Sequence, residues 1–217
     1  MSVRLMVFAK APVPGQVKTR LIPALGADGA ARLAAHLLQR TLDAARDAAT
    51  ALRREKHRSV HIHLCGSPDP EHASWSGIIL PKNCAKSAQI EGDLGARMAH
   101  AFTPALGCGE DVLLLGTDGV GLDWRRIVQA VQALEQHDAV LQPVLDGGYL
   151  MLGLRPAALG KLPALFEAMP WSTDQVAALT LDRLGSLGYA TLVLPALRDV
   201  DSPGDLAHVL NLVQCIV

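Results

Sequence analysis

The chain has 217 residues, of which 50% are hydrophobic, and a formal net charge of −1. This length predicts a single domain over residues 1–217, and the balanced charge argues against the basic surface that nucleic-acid binding requires. No uncharged apolar stretch approaches the roughly 18 residues of a membrane span, and the first apolar run is too short for a signal peptide. We therefore expect a cytoplasmic protein that does not bind nucleic acid and has no membrane span.

Cysteine and histidine spacings show no metal-binding or disulfide pattern. No two cysteines form a CxxC pair, so buried free thiols are expected at Cys65, Cys84, Cys108 and Cys215. The eight histidines show no HExxH spacing. His61 and His63 alternate along a predicted strand, and we interpret both as structural.

The first half of the chain alternates between predicted strands and helices. Val3–Ala9 is a short apolar run typical of a buried strand. A long helix is predicted from Asp28 to about Lys56, because its apolar residues recur every three or four positions. The cations that close this helix are expected to be solvated: Arg53, Arg54, Lys56, His57 and Arg58. The next predicted elements are a strand over Ser59–Cys65, a short strand over Ile78–Leu80 and a helix over Gly92–Leu106.

The same alternation continues in the second half. Asp123 is predicted to cap a helix that reaches His137, and Ser172 with Gln175 matches a capping box for a helix that ends near Gly185. A last helix is predicted from Ser202. The predicted strands are Asp111–Leu115, Ala139–Val144, Tyr149–Leu154 and Ala190–Leu194. Because strands and helices alternate, we predict an α/β three-layer sandwich with a mixed, mainly parallel sheet.

The loop from Lys10 to Leu21 follows the first predicted strand and is rich in cations. Ligands of open α/β sheets bind beyond the carboxyl ends of the strands, which is where this loop lies. It lacks the glycine spacing of a Walker A motif and of GxGxxG. The candidate phosphate-binding residues are Lys10, Gly15, Lys18, Thr19 and Arg20. An exposed basic loop without a ligand is the alternative.

Two further segments follow predicted strands and carry carboxylates. Asp118 comes directly after Asp111–Leu115, and Asp201 lies two residues after Asp199 beyond the last strand. Carboxylate oxygens are the ligands that Mg²⁺ and Mn²⁺ prefer, so Asp118 and Asp201 are candidate metal ligands. Simple turn or helix-start residues are the alternative, and for Asp205 that interpretation is favoured.

Six motifs occur in order: FAKAPVPGQVKTRL, EGDLGARM, LLLGTDGVGL, LDGGYLMLGL, WSTDQVAALT and DVDSPGDL. Together they resemble the bacterial glycosyltransferases of the GT-A superfamily that are called radical-SAM/selenodomain-associated transferases. This resemblance implies a nucleotide-diphospho-sugar transferase-like fold. It also contains a departure, because Gly119 and Val120 stand where the family usually has Cys and Pro, so the family's rigid turn behind Asp118 is not expected in this loop.

The resemblance implies roles for individual residues. Lys18 and Arg20 would contact phosphates, and Asp118 would hold Mg²⁺ or Mn²⁺ with Asp201 as a second ligand. The residues implied to face the donor sugar or the acceptor are Gly147, Gly148, Tyr149, Trp171, Ser172 and Thr173. Asp146 is the candidate general base, although an Asp-Gly hairpin turn alone would explain this segment.

The leading functional hypothesis is a metal-dependent glycosyltransferase that uses a nucleotide-diphospho-sugar donor and an acceptor that the sequence does not identify. The alternatives are a guanylyltransferase-like nucleotidyltransferase that releases pyrophosphate and a non-catalytic nucleotide-binding module. In all three, a nucleotide or nucleotide-sugar is the expected ligand. The sequence does not determine the oligomeric state and allows a homo-oligomer.

Overall fold

A computed structural model describes residues 2–56 and 58–208. The strands are β1 Ser2–Lys10, β2 Ser59–Ser67, β3 Ala85–Ala88, β4 Asp111–Leu115, β5 Gly119–Val120, β6 Ala139–Pro143, β7 Tyr149–Leu154, β8 Thr191–Val193 and β9 Arg198–Asp199. The helices are α1 Ile22–Lys56, α2 Leu94–Gly107, α3 Trp124–Ala133, α4 Leu162–Phe166 and α5 Val176–Ser186.

Seven strands form one sheet in the order β3-β2-β1-β4-β7-β6-β8. Strand β7 runs antiparallel to both of its neighbours, β4 and β6, and the other pairs are parallel. The predicted mixed, mainly parallel sheet is therefore confirmed. Strands β5 and β9 form a separate antiparallel pair.

Both faces of the sheet are covered, as expected of central strands such as β4 and β7, whose side chains are nearly all apolar. One core cluster joins β1 and β4 to α1 and α3, with Leu5, Leu42 and Ile127 fully buried. The other joins the opposite face to α2, α4 and α5, with Phe102 fully buried. This arrangement confirms the predicted three-layer sandwich. Among the described residues, no helix is long and apolar enough to cross a membrane.

The short strand predicted over Ile78–Leu80 is wrong. The backbone of Ile79 bonds instead to the Gln39 side chain of α1, with its N–H 2.9 Å from Oε1 and its carbonyl 3.0 Å from Nε2. One glutamine amide thus replaces a strand partner. The edge strand on this side of the sheet is β3, which pairs with β2 from His63 onward.

The two predicted helix starts have different outcomes. A break at Gly26, whose φ of 69° and ψ of 167° are not helical, divides α1 into a short first segment and a long helix, which starts close to the predicted Asp28. Helix α5 begins at Val176, and Gln175 makes no side-chain cap, so the predicted capping box is wrong. The physical reason is that Ser172 has a φ of 66°, which turns the chain away from a helix.

One of the cations near the end of α1 is less solvated than predicted. Arg58 is buried and lies 3.1 Å from Glu135. Arg53 and Arg54 are exposed, as predicted, although Arg53 also donates to the carbonyl of Val60. His57 lies outside the described residues, and the Lys56 side chain is not described. For Arg58 the prediction of a solvated side chain is wrong, because its guanidinium contacts the Val131 carbonyl of α3 and the carboxylate of Glu135, which follows that helix.

The described histidines of β2 have structural partners, as predicted. His61 Nδ1 lies 3.2 Å from Glu110, and His63 Nε2 lies 2.8 Å from Ser87 Oγ. Burial, with the charge of Arg4, lowers the pKa of His63. Of the cysteines, Cys65 is buried, Cys84 is half-buried and Cys108 is exposed, so the expectation of burial is wrong for Cys108. All three are free thiols, and Cys215 lies outside the described residues.

Candidate functional site

Three loops meet at the carboxyl edge of the sheet, where the sequence placed the ligand site. They are the loop after β1, the loop after β4 and the segment after β8. The pairing of β5 with β9 joins the last two, because Gly119 lies opposite Asp199. The Val200 N–H also donates to the Asp118 carbonyl over 3.1 Å. This small sheet brings Asp118 close to the carboxylates that follow β8.

Buried apolar residues fix the orientation of the polar side chains beside them. Leu21 and Val200 pack together with the start of α1 and are almost completely buried. Each such side chain contributes roughly 1.5–3 kcal/mol when it is removed from water. Since alternate residues of an extended chain point in opposite directions, burying Val200 leaves Asp199 and Asp201 free to line the crevice. The same segment ends in a short 3-10 turn over Pro203–His208.

Asp205 belongs to that turn rather than to the ligand site. Its carboxylate accepts hydrogen bonds from the N–H and the hydroxyl of Ser202, both over 2.7 Å. These bonds lower the pKa of Asp205 although burial acts in the opposite direction. The preferred interpretation of Asp205 as a helix-start residue is thus confirmed by its contacts.

Lys18 lies at the centre of the site. Its ammonium contacts Asp118 Oδ1 and lies 3.6 Å from Asp201 Oδ1, and only 4% of its side chain is exposed. Asp201 also forms an ion pair with Arg20, whose Nη1 lies 3.2 Å from Asp201 Oδ2. The Lys18 backbone has a φ of 47° and a ψ of 40°, in the left-handed region that side chains with a Cβ avoid.

The loop after β1 opens onto a cavity of about 610 Å³, here called the basic cavity. Its cations are Lys10, Lys18, Arg20 and Arg97. Thr19 lines it as well, whereas Gly15 does not and instead supplies the left-handed turn of the loop with a φ of 79°. Four cations around one cavity suit a polyanion such as a diphosphate.

A second cavity of about 530 Å³, here called the acidic cavity, adjoins the basic one. The two share residues of all three loops, Arg20, Asp118 and Asp201 among them. Its carboxylates are Asp118, Asp146, Asp174, Asp199 and Asp201, and its cation is Arg20. Apolar and aromatic side chains form the wall: Phe8, Leu94, Met98, Leu114, Val144, Tyr149, Leu150, Trp171 and Val176.

The predicted donor or acceptor residues lie around the acidic cavity. Gly148, Tyr149, Trp171, Ser172 and Thr173 all line it. Gly147 does not, but it has a φ of 91° and a Cβ there would overlap the Asp174 backbone. Its carbonyl accepts the Ala177 N–H over 2.8 Å, so this glycine fastens the hairpin turn to the start of α5. The sequence motif therefore has a structural as well as a site-lining component.

Asp146 and Asp199 lie side by side in the acidic cavity. Burial and the neighbouring Asp146 carboxylate raise the pKa of Asp199 to about 6. Asp146 also accepts the Gly148 N–H over 2.9 Å, which closes the turn. Burial likewise raises the pKa of Tyr149, so its phenol stays protonated and able to donate.

Sequence reasoning missed Arg97, Gln89 and Asp174. Arg97 belongs to α2 and is held by an Nε bond of 2.9 Å to the Gly92 carbonyl. Gln89 ties β1 to β2, since its Nε2 lies 3.0 Å from the carbonyls of Ala9 and Cys65. Arg97 lies inside the quoted motif EGDLGARM, which was the available signal. Asp174 likewise lies inside the quoted motif WSTDQVAALT, directly after Thr173, whereas nothing in the local pattern around Gln89 indicated the site.

The departure at Gly119 and Val120 has a structural counterpart. Both residues belong to β5, which backbone pairing holds against β9. A Cβ at Gly119 would overlap the side chain of Leu150, so a larger residue there requires Leu150 to move. The loop after β4 is thus positioned by strand pairing rather than by a proline.

The donor set of the site is compatible with Mg²⁺ or Mn²⁺. Asp118 and Asp201 present hard oxygen ligands to the same point, because both contact the Lys18 ammonium. The described residues contain no cluster of three His, Cys, Asp or Glu side chains able to hold a metal. Mg²⁺ is usually bound by one or two carboxylates together with substrate phosphates and water, and this pair fits that pattern.

Comparison with solved structures confirms the predicted fold relationship. A protein from Desulfovibrio desulfuricans G20, provisionally described as a nucleotide-diphospho-sugar transferase, aligns with a TM-score of 0.79 and 27% identity. That alignment covers 100% of this chain and 99% of the other. The expectation of a transferase agrees with this neighbour.

Two more distant structures share the fold. The 2-C-methyl-D-erythritol 4-phosphate cytidylyltransferase of Thermus thermophilus has a TM-score of 0.53 and 18% identity over 99% of this chain and 100% of its own. A Mycobacterium tuberculosis H37Rv protein in complex with manganese has a TM-score of 0.51 and 14% identity over 97% and 99%.

A comparison with curated protein sequences gave no match. Residues 49–173, more than half of the chain, match the family described as uncharacterized proteins conserved in bacteria, DUF2064. The matched region runs from the second half of α1 to Thr173 and includes Asp118 and Asp146. This chain therefore belongs to the DUF2064 family.

Proposed function

We propose that this chain is a glycosyltransferase that takes a nucleotide-diphospho-sugar donor and transfers the sugar to a hydroxyl of an uncharged acceptor. The observation that carries the proposal is the pair of adjoining cavities, one basic and one acidic, that share Asp118, Asp201 and Arg20. A nucleotide-diphospho-sugar donor has a highly charged diphosphate at one point and a neutral sugar next to it. The change from the basic to the acidic cavity matches this change of charge along the donor.

The basic cavity suits the diphosphate. Lys10, Arg20 and Arg97 offer charge-assisted hydrogen bonds to phosphate oxygens. Asp118 and Asp201 would hold Mg²⁺ or Mn²⁺, which when bound supplies positive charge to the diphosphate leaving group. The neutral sugar would then lie at the boundary, against residues that both cavities share.

The acidic cavity suits the acceptor. An acceptor hydroxyl would attack the anomeric carbon, the bond from that carbon to the diphosphate would break, and the hydroxyl proton would pass to Asp146. Asp146 faces the cavity and lies beside Asp199, whose pKa is raised to about 6 by burial and by the Asp146 carboxylate. The aromatic wall of Tyr149 and Trp171 would pack against a sugar or ring.

The charge of the acidic cavity favours a glycosyltransferase over a nucleotidyltransferase. A nucleotidyltransferase that activates a phosphorylated substrate must place a second phosphate opposite the nucleotide. Here that place has five aspartates and one arginine, and Arg20 already pairs with Asp201. Like charges in a partly buried cavity repel, which favours an acceptor without phosphate. The cytidylyltransferase neighbour shares the fold, and fold alone is a poor guide to substrate.

The test is a thermal-shift screen of nucleoside mono-, di- and triphosphates and sugar nucleotides, with and without Mn²⁺. A ligand at 100 times its Kd adds about 2.7 kcal/mol of stability, or roughly 5–10 °C in a domain of this size. The expected result is the largest shift with one sugar nucleotide and Mn²⁺. Arg97→Gln should reduce that shift, whereas Arg46→Gln, on the exposed face of α1, should not.

Product analysis then separates the reactions. Release of a nucleoside diphosphate from the sugar nucleotide supports glycosyl transfer, whereas release of pyrophosphate from a triphosphate supports nucleotidyl transfer. Absence of a shift with every nucleotide and sugar nucleotide would contradict both.

A further inference from the structure

We propose that Lys18 acts as a built-in counter-ion for Asp118 and Asp201, which a divalent cation displaces only when a nucleotide enters the basic cavity. Lys18 is thereby a positioning residue that couples metal binding to nucleotide binding. The inference rests on the proposed metal and nucleotide binding and adds an order to it.

The first observation is the position of the Lys18 ammonium. It contacts Asp118 and lies 3.6 Å from Asp201, so it neutralises the carboxylates that would ligate a metal. Its side chain is 4% exposed, and those of the aspartates are 57% and 42% exposed. The ammonium therefore lies beneath the carboxylates, and the site can be approached from the solvent side.

The second observation is electrostatic. A divalent cation bound to both carboxylates would lie within a few ångströms of the ammonium, and two cations at that distance repel strongly in a partly buried site. Metal binding to the protein alone must therefore overcome the existing ion pairs and this repulsion. We expect weak metal binding in the absence of nucleotide.

The third observation explains how a nucleotide changes this balance. Lys18 lines the basic cavity, together with Lys10, Arg20 and Arg97. A diphosphate there would offer the ammonium new anionic partners and release Asp118 and Asp201. The left-handed backbone of Lys18 is a strained conformation for a residue with a Cβ, which is consistent with a residue held in place for function.

Competition of this kind makes an unusual prediction, because removal of a site cation should strengthen metal binding. The test measures Mn²⁺ binding by electron paramagnetic resonance in wild type, Lys18→Met, Lys18→Arg and Lys82→Met, alone and with saturating UDP or GDP. Lys82 is the matched control, because it is an exposed lysine that lines neither the basic nor the acidic cavity.

Without nucleotide, Lys18→Met should bind Mn²⁺ about tenfold or more tightly than wild type, since one repelling charge is removed. Lys18→Arg and Lys82→Met should resemble wild type. Nucleotide should raise the Mn²⁺ affinity of wild type by a larger factor than that of Lys18→Met. By linkage, Mn²⁺ should raise nucleotide affinity by the same factor.

Equal or weaker Mn²⁺ binding by folded Lys18→Met, compared with wild type, would overturn the inference and leave the proposed function standing. Failure of wild type to bind Mn²⁺ even with nucleotide would contradict the proposed metal site and the inference together. If circular dichroism shows that Lys18→Met is unfolded, Lys18→Gln is measured against the same expectations.

Discussion

At the scale of single residues, Gly147 shows how a turn motif serves the site. Its φ of 91° is unfavourable for other residues, and a Cβ would overlap the Asp174 backbone. Gly147→Ala should therefore destabilise the protein by about 2 kcal/mol or more, because both backbone strain and a collision with main-chain atoms are involved. Chemical denaturation measures this change in the free energy of unfolding.

The matched control for Gly147 is Gly185→Ala in α5, where a Cβ meets nothing within 4 Å. Alanine is favoured over glycine in helices by about 0.5–1 kcal/mol, so this variant should be slightly more stable than wild type. Equal stability of the two variants would show that the close approach of Gly147 to Asp174 is not tight.

Single residues also mark the limit of sequence reasoning. The strand pattern predicted that Lys18 follows β1, and the surrounding motif indicated that Lys18 is a cation beside the ligand crevice. Its contact with Asp118 and Asp201 joins residues that are far apart in the sequence, and it depends on the β5–β9 pairing. Two-residue strands of this kind have no recognisable sequence period.

At the scale of elements, the start of α2 contributes directly to the basic cavity. Asp93 caps this helix by accepting the Ala96 N–H over 2.8 Å, and Gly92, Leu94 and Arg97 line the cavity. Asp93→Ala should cost about 1 kcal/mol of stability, as for other lost caps. Because the loosened first turn holds Arg97, affinity for the stabilising nucleotide should also fall several-fold, as measured by calorimetry.

Asp123→Ala provides the matched control, because Asp123 caps α3 in the same way, with the Arg126 N–H at 3.0 Å. That cap does not line either cavity. The two variants should lose similar stability, and only Asp93→Ala should lose nucleotide affinity. A loss of affinity in both would mean that binding follows global stability.

Elements with their own caps or long apolar runs were predictable from the sequence. The N-cap of α3 at Asp123 and the buried strand β4 have local causes, namely a side-chain cap and a run of apolar residues. The displaced start of α5 has a tertiary cause, because the chain before it turns at Ser172 toward the cavities. The missing strand at Ile79 likewise reflects a long-range partner, Gln39.

At the scale of the whole molecule, the location of the site was predictable, since open α/β sheets bind ligands at the carboxyl ends of their strands. The division of the site into a basic and an acidic cavity was not predictable. The cations of one cavity, and likewise the carboxylates of the other, come from segments that are far apart in the sequence. Arg97 comes from α2, and Asp174 comes from the loop before α5. Only the packing of these elements on one sheet edge brings such residues to opposite ends of one crevice.

At the opposite end of the sheet, the buried carboxyl of Asp111 should make the stability of the protein depend on pH. Asp111 begins β4, and burial raises its pKa although Arg155 and Arg58 act in the opposite direction. The folded protein therefore holds this proton more tightly than the unfolded chain does. It follows that this group's contribution to stability decreases as pH rises from the ordinary aspartate range through the raised pKa.

Asp111→Asn removes that ionisation and should raise Tm at pH 7 by roughly 2–4 °C relative to wild type. The gain should shrink toward pH 4, because wild-type Asp111 is then increasingly protonated in both states. Asp182→Asn, an exposed position of α5, should show no such pH-dependent difference. A gain for Asp111→Asn that stays constant between pH 4 and pH 7 would place its cause in packing rather than in the buried charge, and a loss of stability at pH 7 would mean that Arg58 and Arg155 outweigh burial.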